Sequence, residues 1–84
     1  MLWFEWSAEK NDWLQRERKV SFEQVVDAIQ NGRLIEVVEN TSRQHKGQRC
    51  FIVLIHDYPH VVPFVERGEM IFLKTVYPSS RHKK

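Results

Sequence analysis

The segment Ser21–Gly32 most constrains the fold, because it carries a complete helix signal and is followed only by strand patterns. Ser21 and Gln24 form a capping-box pattern, in which two side chains satisfy free N–H groups at a helix start. Gly32 supplies a C-terminal stop. Four apolar residues lie between them at helical spacing: Phe22, Val25, Val26 and Ile29. We expect this apolar face to pack on a sheet, against the strand run that contains Phe51, Val53 and Ile55.

The remaining helix and strands are predicted from the spacing of apolar residues and from the positions of turn-forming residues. A first strand is predicted over Met1–Trp6, and Ser7 is positioned to cap a helix over Ala8–Arg18. Four further strands are predicted after Gly32: Arg33–Glu39, Arg49–His56, Val61–Glu66 and Met70–Tyr77. The sequence therefore predicts an α+β fold of order β-α-α-β-β-β-β, an antiparallel sheet with two helices packed on one face.

Glycine, proline and polar residues predict the connections. Arg67-Gly68 indicates a tight hairpin turn, and Asp57–His60 is predicted as another turn. Residues 40–48 form a polar loop. Pro63 indicates that its strand lies at an edge or contains a bulge, because proline cannot donate a ladder hydrogen bond.

The last predicted strand runs directly into a cationic tail, residues 79–84. Strict alternation places Lys74 in a row with Phe72 and Val76, and it places Tyr77 on the opposite face. A lysine in an apolar row beside a basic tail points to polyphosphate partners. The ordinary alternative is an edge-strand lysine that blocks aggregation and a solvated terminus.

Composition indicates one small domain, residues 1–84, in the cytoplasm. Hydrophobic residues make up 42% of the 84 residues and charged residues 29%, values typical of a globular protein. The start of the chain has no basic region typical of a signal peptide, and no apolar run reaches the ~20 residues that span a bilayer. The single cysteine, Cys50, is expected to pack in the core. A net charge of +2 does not by itself indicate nucleic-acid binding, so the clustering of cations matters more.

The sequence contains no pattern for a metal or a cofactor. The four histidines lack the spacing that preorganises a metal ion, and His56 and His60 are expected to be hydrogen-bonded turn residues. The glycines are isolated, so no phosphate-cradling loop or nucleotide cofactor is implied. No serine or cysteine lies in a recognisable nucleophile motif.

Cations and phenols remain as chemistry-bearing groups. Metal-free RNA cleavage needs a base for the 2′-hydroxyl, cationic stabilisation of the phosphorane and an acid for the leaving oxygen. One candidate group, assigned to catalysis, lies near the chain end: Lys74, Tyr77, Arg81 and His82. A second group, assigned to RNA binding, is Lys19, His45, Lys46 and Arg49. Taken alone, each of these residues is more often a solvated surface group than a catalytic one, by about three to one.

Several motifs in this chain resemble those of the BrnT family of bacterial toxins. Phe4-Glu5-Trp6 followed by Glu9-Lys10-Asn11 resembles the opening strand and helix of that family. Val20–Val25 is similar to its second helix cap. Val62–Glu66 and Ile71–Ser79 are similar to later strands and to a P-S-R-K ending in a branch of such proteins. The resemblance covers nearly the whole chain.

The resemblance implies a RelE-like fold and a ribonuclease that inhibits translation, held in check by a DNA-binding antitoxin, commonly of the ribbon-helix-helix type. It carries basic, site-like positions over to Lys19, Lys74, Ser79 and Arg81. Lys19 occupies a place where the family often has glycine. Two other interpretations stay open: a non-catalytic protein that binds the antitoxin and modulates its operator binding, and a direct RNA- or DNA-binding module. A homo-oligomer is compatible with all three.

Overall fold

A computed structural model describes residues 2–39 and 48–79 and has an α+β architecture. Its elements are β1 (Trp3–Trp6), α1 (Ala8–Glu17), α2 (Phe22–Gln30), β2 (Leu34–Glu39), β3 (Arg49–Ile55), β4 (Tyr58–Arg67), β5 (Met70–Leu73) and β6 (Tyr77–Pro78). The predicted element order is confirmed up to β4. The predicted last strand is two strands, β5 and β6.

The strands form one sheet of order β1-β5-β4-β3-β2, and β6 pairs with β4 beyond the end of β5. All neighbours are antiparallel except β1 and β5, which run parallel. The prediction of a wholly antiparallel sheet is therefore wrong at this edge. Hairpins force neighbouring strands to be antiparallel, whereas β1 is separated from the other strands by both helices and can join the sheet in either direction.

Both helices begin with the predicted caps. The Ser7 hydroxyl accepts a hydrogen bond from the backbone N–H of Lys10 at 3.2 Å. The Ser21 hydroxyl accepts one from Gln24 N–H at 3.2 Å, and the Gln24 side chain accepts one from Ser21 N–H at 2.9 Å, which completes the capping box. After α2, Gly32 takes a positive φ of 79°, a conformation that glycine adopts without strain.

The helices pack on one face of the sheet, as predicted. The buried core on this face consists of Leu14, Val20, Phe22, Val25, Ala28, Phe51, Val53, Ile55, Val62, Phe64, Ile71, Leu73 and Val76. Val26 and Ile29 of α2 pack against it while remaining partly exposed. Each fully buried aliphatic or aromatic side chain contributes roughly 1.5–3 kcal/mol, so this single cluster dominates the stability of the domain.

Asn11 joins the two helices through its buried amide. Its side-chain oxygen accepts a hydrogen bond from the backbone N–H of Phe22 at 2.8 Å, which satisfies a free donor at the start of α2. Its side-chain nitrogen donates to Glu23 at 2.8 Å. Asn11, which belongs to one of the motifs behind the family resemblance, thus has a structural role in this fold.

The predicted turn at Asp57–His60 begins one residue and ends three residues too far along the chain. Ile55 pairs with Tyr58, so the turn consists of His56 and Asp57, and Tyr58–His60 belongs to β4. Both turn residues have positive φ, 54° and 61°, which is the geometry of a type I′ hairpin. This hairpin has no glycine, and the proline that follows it lies inside β4, so the turn residues of the sequence indicated the wrong position.

Candidate functional site

A β-bulge separates β5 from β6. Leu73 of β5 pairs with Phe64, and Tyr77 of β6 pairs with Val61. Three steps along β4 therefore match four steps along the last strand, which leaves one extra residue on the β5–β6 side. The alternation predicted across Met70–Tyr77 is wrong beyond this point, because Val76 is fully buried in the helix-side core rather than aligned with Lys74.

Pro63 of β4 faces the bulge. Its carbonyl accepts a hydrogen bond from Lys74 N–H at 2.8 Å. In a β-strand, the N–H and C=O groups of one residue point to the same neighbouring strand. Proline has no N–H, so on the side of the bulge Pro63 offers only its carbonyl. β4 lies between β3 and β5, so the predicted edge position is wrong, and the extra residue of the bulge lies on the strand that faces Pro63 rather than on its own strand.

The bulge brings Lys74 and Tyr77 onto the same face of the sheet. Lys74 lies beside Pro63, and Tyr77 is opposite Val61. Val61 and Pro63 alternate with the core residue Val62, so they point away from the helices. The residues opposite which they lie are next-nearest neighbours on one strand, so the Cα atoms of Lys74 and Tyr77 are about 7 Å apart. Lys74 is exposed and Tyr77 is 39% exposed.

Lys19 lies at the connection between α1 and α2 and has φ of 58°. The N–H groups of Arg18 and Val20 both donate to the Leu14 carbonyl, at 2.8 and 3.4 Å, which closes the helix end around this left-handed residue. Lys19 also lines a surface depression of about 370 Å³ with Gln24. This connection therefore has the backbone geometry that usually selects glycine.

Arg49 lies at the opposite end of the sheet from Lys19. Gln24, which lies beside Lys19, contacts His56 in the β3–β4 turn at 3.2 Å between side-chain nitrogens. Arg49 begins β3 and is roughly 20 Å from that turn along the strand. Its guanidinium donates to Glu66 at 2.8 Å. The structure does not bring Lys19 and Arg49 together, and their assignment to RNA binding stays a prediction.

Four predicted site residues lie outside the described part of the chain. These are His45, Lys46, Arg81 and His82. Arg81 and His82 come two and three residues after Ser79. Ser79 is the last described residue, and its N–H donates to the Pro59 carbonyl at 3.0 Å.

His56 and His60 are both hydrogen-bonded, although His60 belongs to β4 rather than to a turn. His60 is buried and its Nδ1 lies 2.8 Å from the Tyr58 carbonyl oxygen. Burial lowers the pKa of His60 below its ordinary value, the hydrogen bond to Tyr58 opposes this effect, and the nearby charge of His56 lowers the pKa further. His60 is therefore neutral at pH 7.

The single cysteine and the side chains able to bind a metal ion are the other groups that could carry chemistry. Cys50 is buried, and burial raises the pKa of its thiol, which keeps it protonated and inert. Within residues 2–39 and 48–79, no three histidine, cysteine, aspartate or glutamate side chains come close enough together to hold a metal ion.

Arg18 is a residue whose placement the sequence did not indicate. Its Nη1 donates to the Val76 carbonyl inside the bulge at 2.6 Å. Its guanidinium also lies 4.9 Å from the ring centroid of Trp13, and Lys10 Nζ lies 4.2 Å from the same ring. Arg18 was visible in the sequence only as part of a basic cluster. No local pattern indicates a contact between residues 58 positions apart.

No helix in the described ranges combines the length and the apolarity needed to cross a membrane. Comparison of the chain with protein-family models, with curated proteins and with solved structures finds no match to any of them.

Proposed function

We propose that this protein is a metal-independent ribonuclease of RelE-like type, the toxin of a bacterial toxin-antitoxin pair, which inhibits translation by cutting RNA in the cytoplasm. One observation supports this proposal most directly: the bulge places Lys74 and Tyr77 on one face of the sheet, close to Ser79, from which the cationic tail continues. A lysine and a tyrosine whose Cα atoms are about 7 Å apart on one face can both reach a single phosphodiester.

Cleavage proceeds by attack of a 2′-oxygen on the adjacent phosphorus. The proton of the 2′-hydroxyl passes to a base, the P–O5′ bond breaks, and the departing 5′-oxygen takes up a proton from an acid. Lys74 and Arg81 stabilise the negative charge that builds on the phosphorane oxygens. Tyr77, His82 or His45 transfers a proton. Lys19 and Lys46 contribute to RNA binding by contacts with other phosphates.

The experiment compares RNA cleavage by the parent and by variants of the proposed site. Lys74→Met, Tyr77→Phe and Arg81→Ala should each slow cleavage by ~100-fold or more, the usual effect of losing one transition-state group. Arg67→Met is the matched control, because Arg67 is an exposed cation at the β4–β5 turn, away from the bulge. EDTA should leave the rate unchanged. Cleavage at the parental rate by both Lys74→Met and Arg81→Ala would rule out this site.

A second candidate function is a non-catalytic interaction protein that binds a ribbon-helix-helix antitoxin and modulates its operator binding. The edge of the sheet at β2 favours it. Among the described strands, β2 has a neighbour on one side only, and Ile35 and Val37 on it are 46% and 43% exposed. An edge with exposed apolar side chains can accept an added strand from a partner.

Induced expression with and without the adjacent gene separates the two functions. A parent that inhibits growth alone, and is silenced by its neighbour, supports the ribonuclease. A parent that is harmless and cuts no RNA, yet elutes with the neighbouring protein in size-exclusion chromatography, supports the second function. Val37→Lys should then weaken the complex, and elution of the parent alone as a larger species would indicate a homo-oligomer instead.

A further inference from the structure

The Val76 carbonyl lies at a gap in the sheet. Tyr77 pairs with Val61, and Ser79 N–H donates to β4, so the backbone groups of Val76 point to the opposite side of the strand. β1 would be the neighbour on that side. Its ladder ends where Trp6 pairs with Leu73. Arg18 supplies the missing donor from α1, at 2.6 Å.

The guanidinium of Arg18 is held in place at this gap. The hydrogen bond to Val76 holds one end, and the ring of Trp13 lies 4.9 Å away. The left-handed turn at Lys19 fixes the backbone beside it. Much of the rotamer entropy that an arginine loses on binding has therefore already been lost in the folded protein.

Arg18 nevertheless remains available to a ligand. The residue is exposed, and among the described residues its hydrogen bonding uses one of the five N–H donors of an arginine. The remaining donors retain the fork geometry that suits the two oxygens of a phosphate. Val76 lies between Lys74 and Tyr77 along the chain, so the guanidinium reaches the edge of the same strand from the helix side, while the side chains of Lys74 and Tyr77 point to the other face.

We infer that Arg18 is a phosphate-binding residue, which takes, at the edge of this strand, a further phosphate of the single-stranded RNA that Lys74 and Tyr77 bind. This inference rests on the proposed ribonuclease function and extends its site from the sheet to the end of α1. It also gives the Arg18–Val76 hydrogen bond a second consequence, because the same side chain holds the bulge that aligns Lys74 with Tyr77.

The salt dependence of RNA binding tests the inference. A short RNA with 2′-O-methyl groups throughout cannot be cut by 2′-oxygen attack, so its Kd is measurable with the intact chain at several salt concentrations. For single strands, each phosphate contact contributes a slope of about −0.7 in log K against log salt. Arg18→Met should reduce the parental slope by about 0.7 and weaken binding by about tenfold at low salt. Arg18→Lys should restore the slope and only part of the affinity, because lysine lacks the fork.

Arg16→Met is the matched control, because Arg16 is an exposed arginine on the same helix and its side chain makes no described contact with the bulge. A slope and affinity for Arg18→Met equal to those of Arg16→Met would overturn the inference.

Should Arg18→Met not fold, Arg18→Lys decides alone, and parental affinity in that variant would overturn it. If the parent binds and cuts RNA while the Arg18 variants match it, the proposed function stands without this residue. If the parent neither binds nor cuts RNA, the proposed function fails first and this inference falls with it.

Discussion

The two ladders of β4 differ in regularity, and the difference separates the ladder that builds the core from the ladder that carries the candidate site. On one side, β4 pairs with β3 through seven consecutive residue pairs with no shift in register. On the other side, its pairing with β5 and β6 is interrupted at the bulge. The regular ladder places Phe51 and Val62 in the core, while the interrupted ladder brings Lys74 and Tyr77 onto one face. A bulge can present polar groups here because the neighbouring ladder already holds the fold together.

The largest expected loss of stability comes from a substitution that disrupts the packing of the regular ladder between β3 and β4. Val62 is fully buried opposite Phe51, so Val62→Asp buries a carboxylate with no partner. This costs several kcal/mol against a total stability of about 5–15 kcal/mol, and the domain should unfold. Circular dichroism and thermal melting measure it. Val37→Asp is the control, because Val37 is a strand valine that is 43% exposed and should tolerate the change. A folded Val62→Asp with the parental melting temperature would contradict this packing.

Deletion of single residues contrasts the two ladders directly. Removing Thr75 takes out the extra residue of the bulge. Val76 should still face the core, and Lys74 should still lie on the same face as Tyr77. The variant should therefore fold, and its free energy of unfolding should fall by roughly 0.5–3 kcal/mol, as for an ordinary substitution. Removing Ile52 from β3 shifts one half of the strand and turns its side chains to the wrong face, so that variant should not fold. Urea unfolding of both proteins measures the difference. If deleting Thr75 also abolishes folding, the bulge is part of the core structure rather than an addition to it.

A smaller effect is expected at the turn that carries Arg18 to the bulge. A non-glycine residue with positive φ is disfavoured by about 1–2 kcal/mol, and glycine loses roughly 0.5–1 kcal/mol through chain entropy. Lys19→Gly should therefore stabilise the domain by about 0.5 kcal/mol and raise Tm by about 2–4 °C. Lys10→Gly, inside α1, should instead destabilise it by about 1 kcal/mol. A lower Tm for Lys19→Gly than for the parent would show that the lysine side chain stabilises the fold.

The smallest expected change in stability at neutral pH is that from replacing His60. This residue lies where the two ladders meet, opposite both Val53 and Pro78. Its folded-state pKa is lowered mainly by burial, so the unfolded chain binds a proton more readily. Stability should be fully present above the unfolded pKa of about 6.5 and should fall as the pH drops through the folded pKa. Melting temperatures from pH 7.5 to 4.5 measure this, with His60→Asn as the comparison. An equal acid dependence in both proteins would assign the effect to other groups.

Much of the regular structure was predictable because its causes are local. The Ser21–Gln24 capping box and the stop at Gly32 specify α2 within a dozen residues of sequence. The β3–β4 turn was misplaced because His56 and Asp57 adopt positive φ without a glycine to signal it. Of the candidate site, the sequence identified Lys74 and Tyr77 by residue type and placed them on opposite faces.

The amino-acid sequence by itself determined the α+β class, both helix caps and the apolar face of α2, since each depends on residues that are neighbours along the chain. Only the tertiary structure decided the parallel entry of β1, the separation of Arg49 from Lys19, and the bulge with its contact from Arg18. These features depend on register between distant strands, and one extra residue reverses every side chain beyond it. A local period cannot reveal that residue, because its position is defined only by the pairing with Pro63 and its neighbours on a different strand.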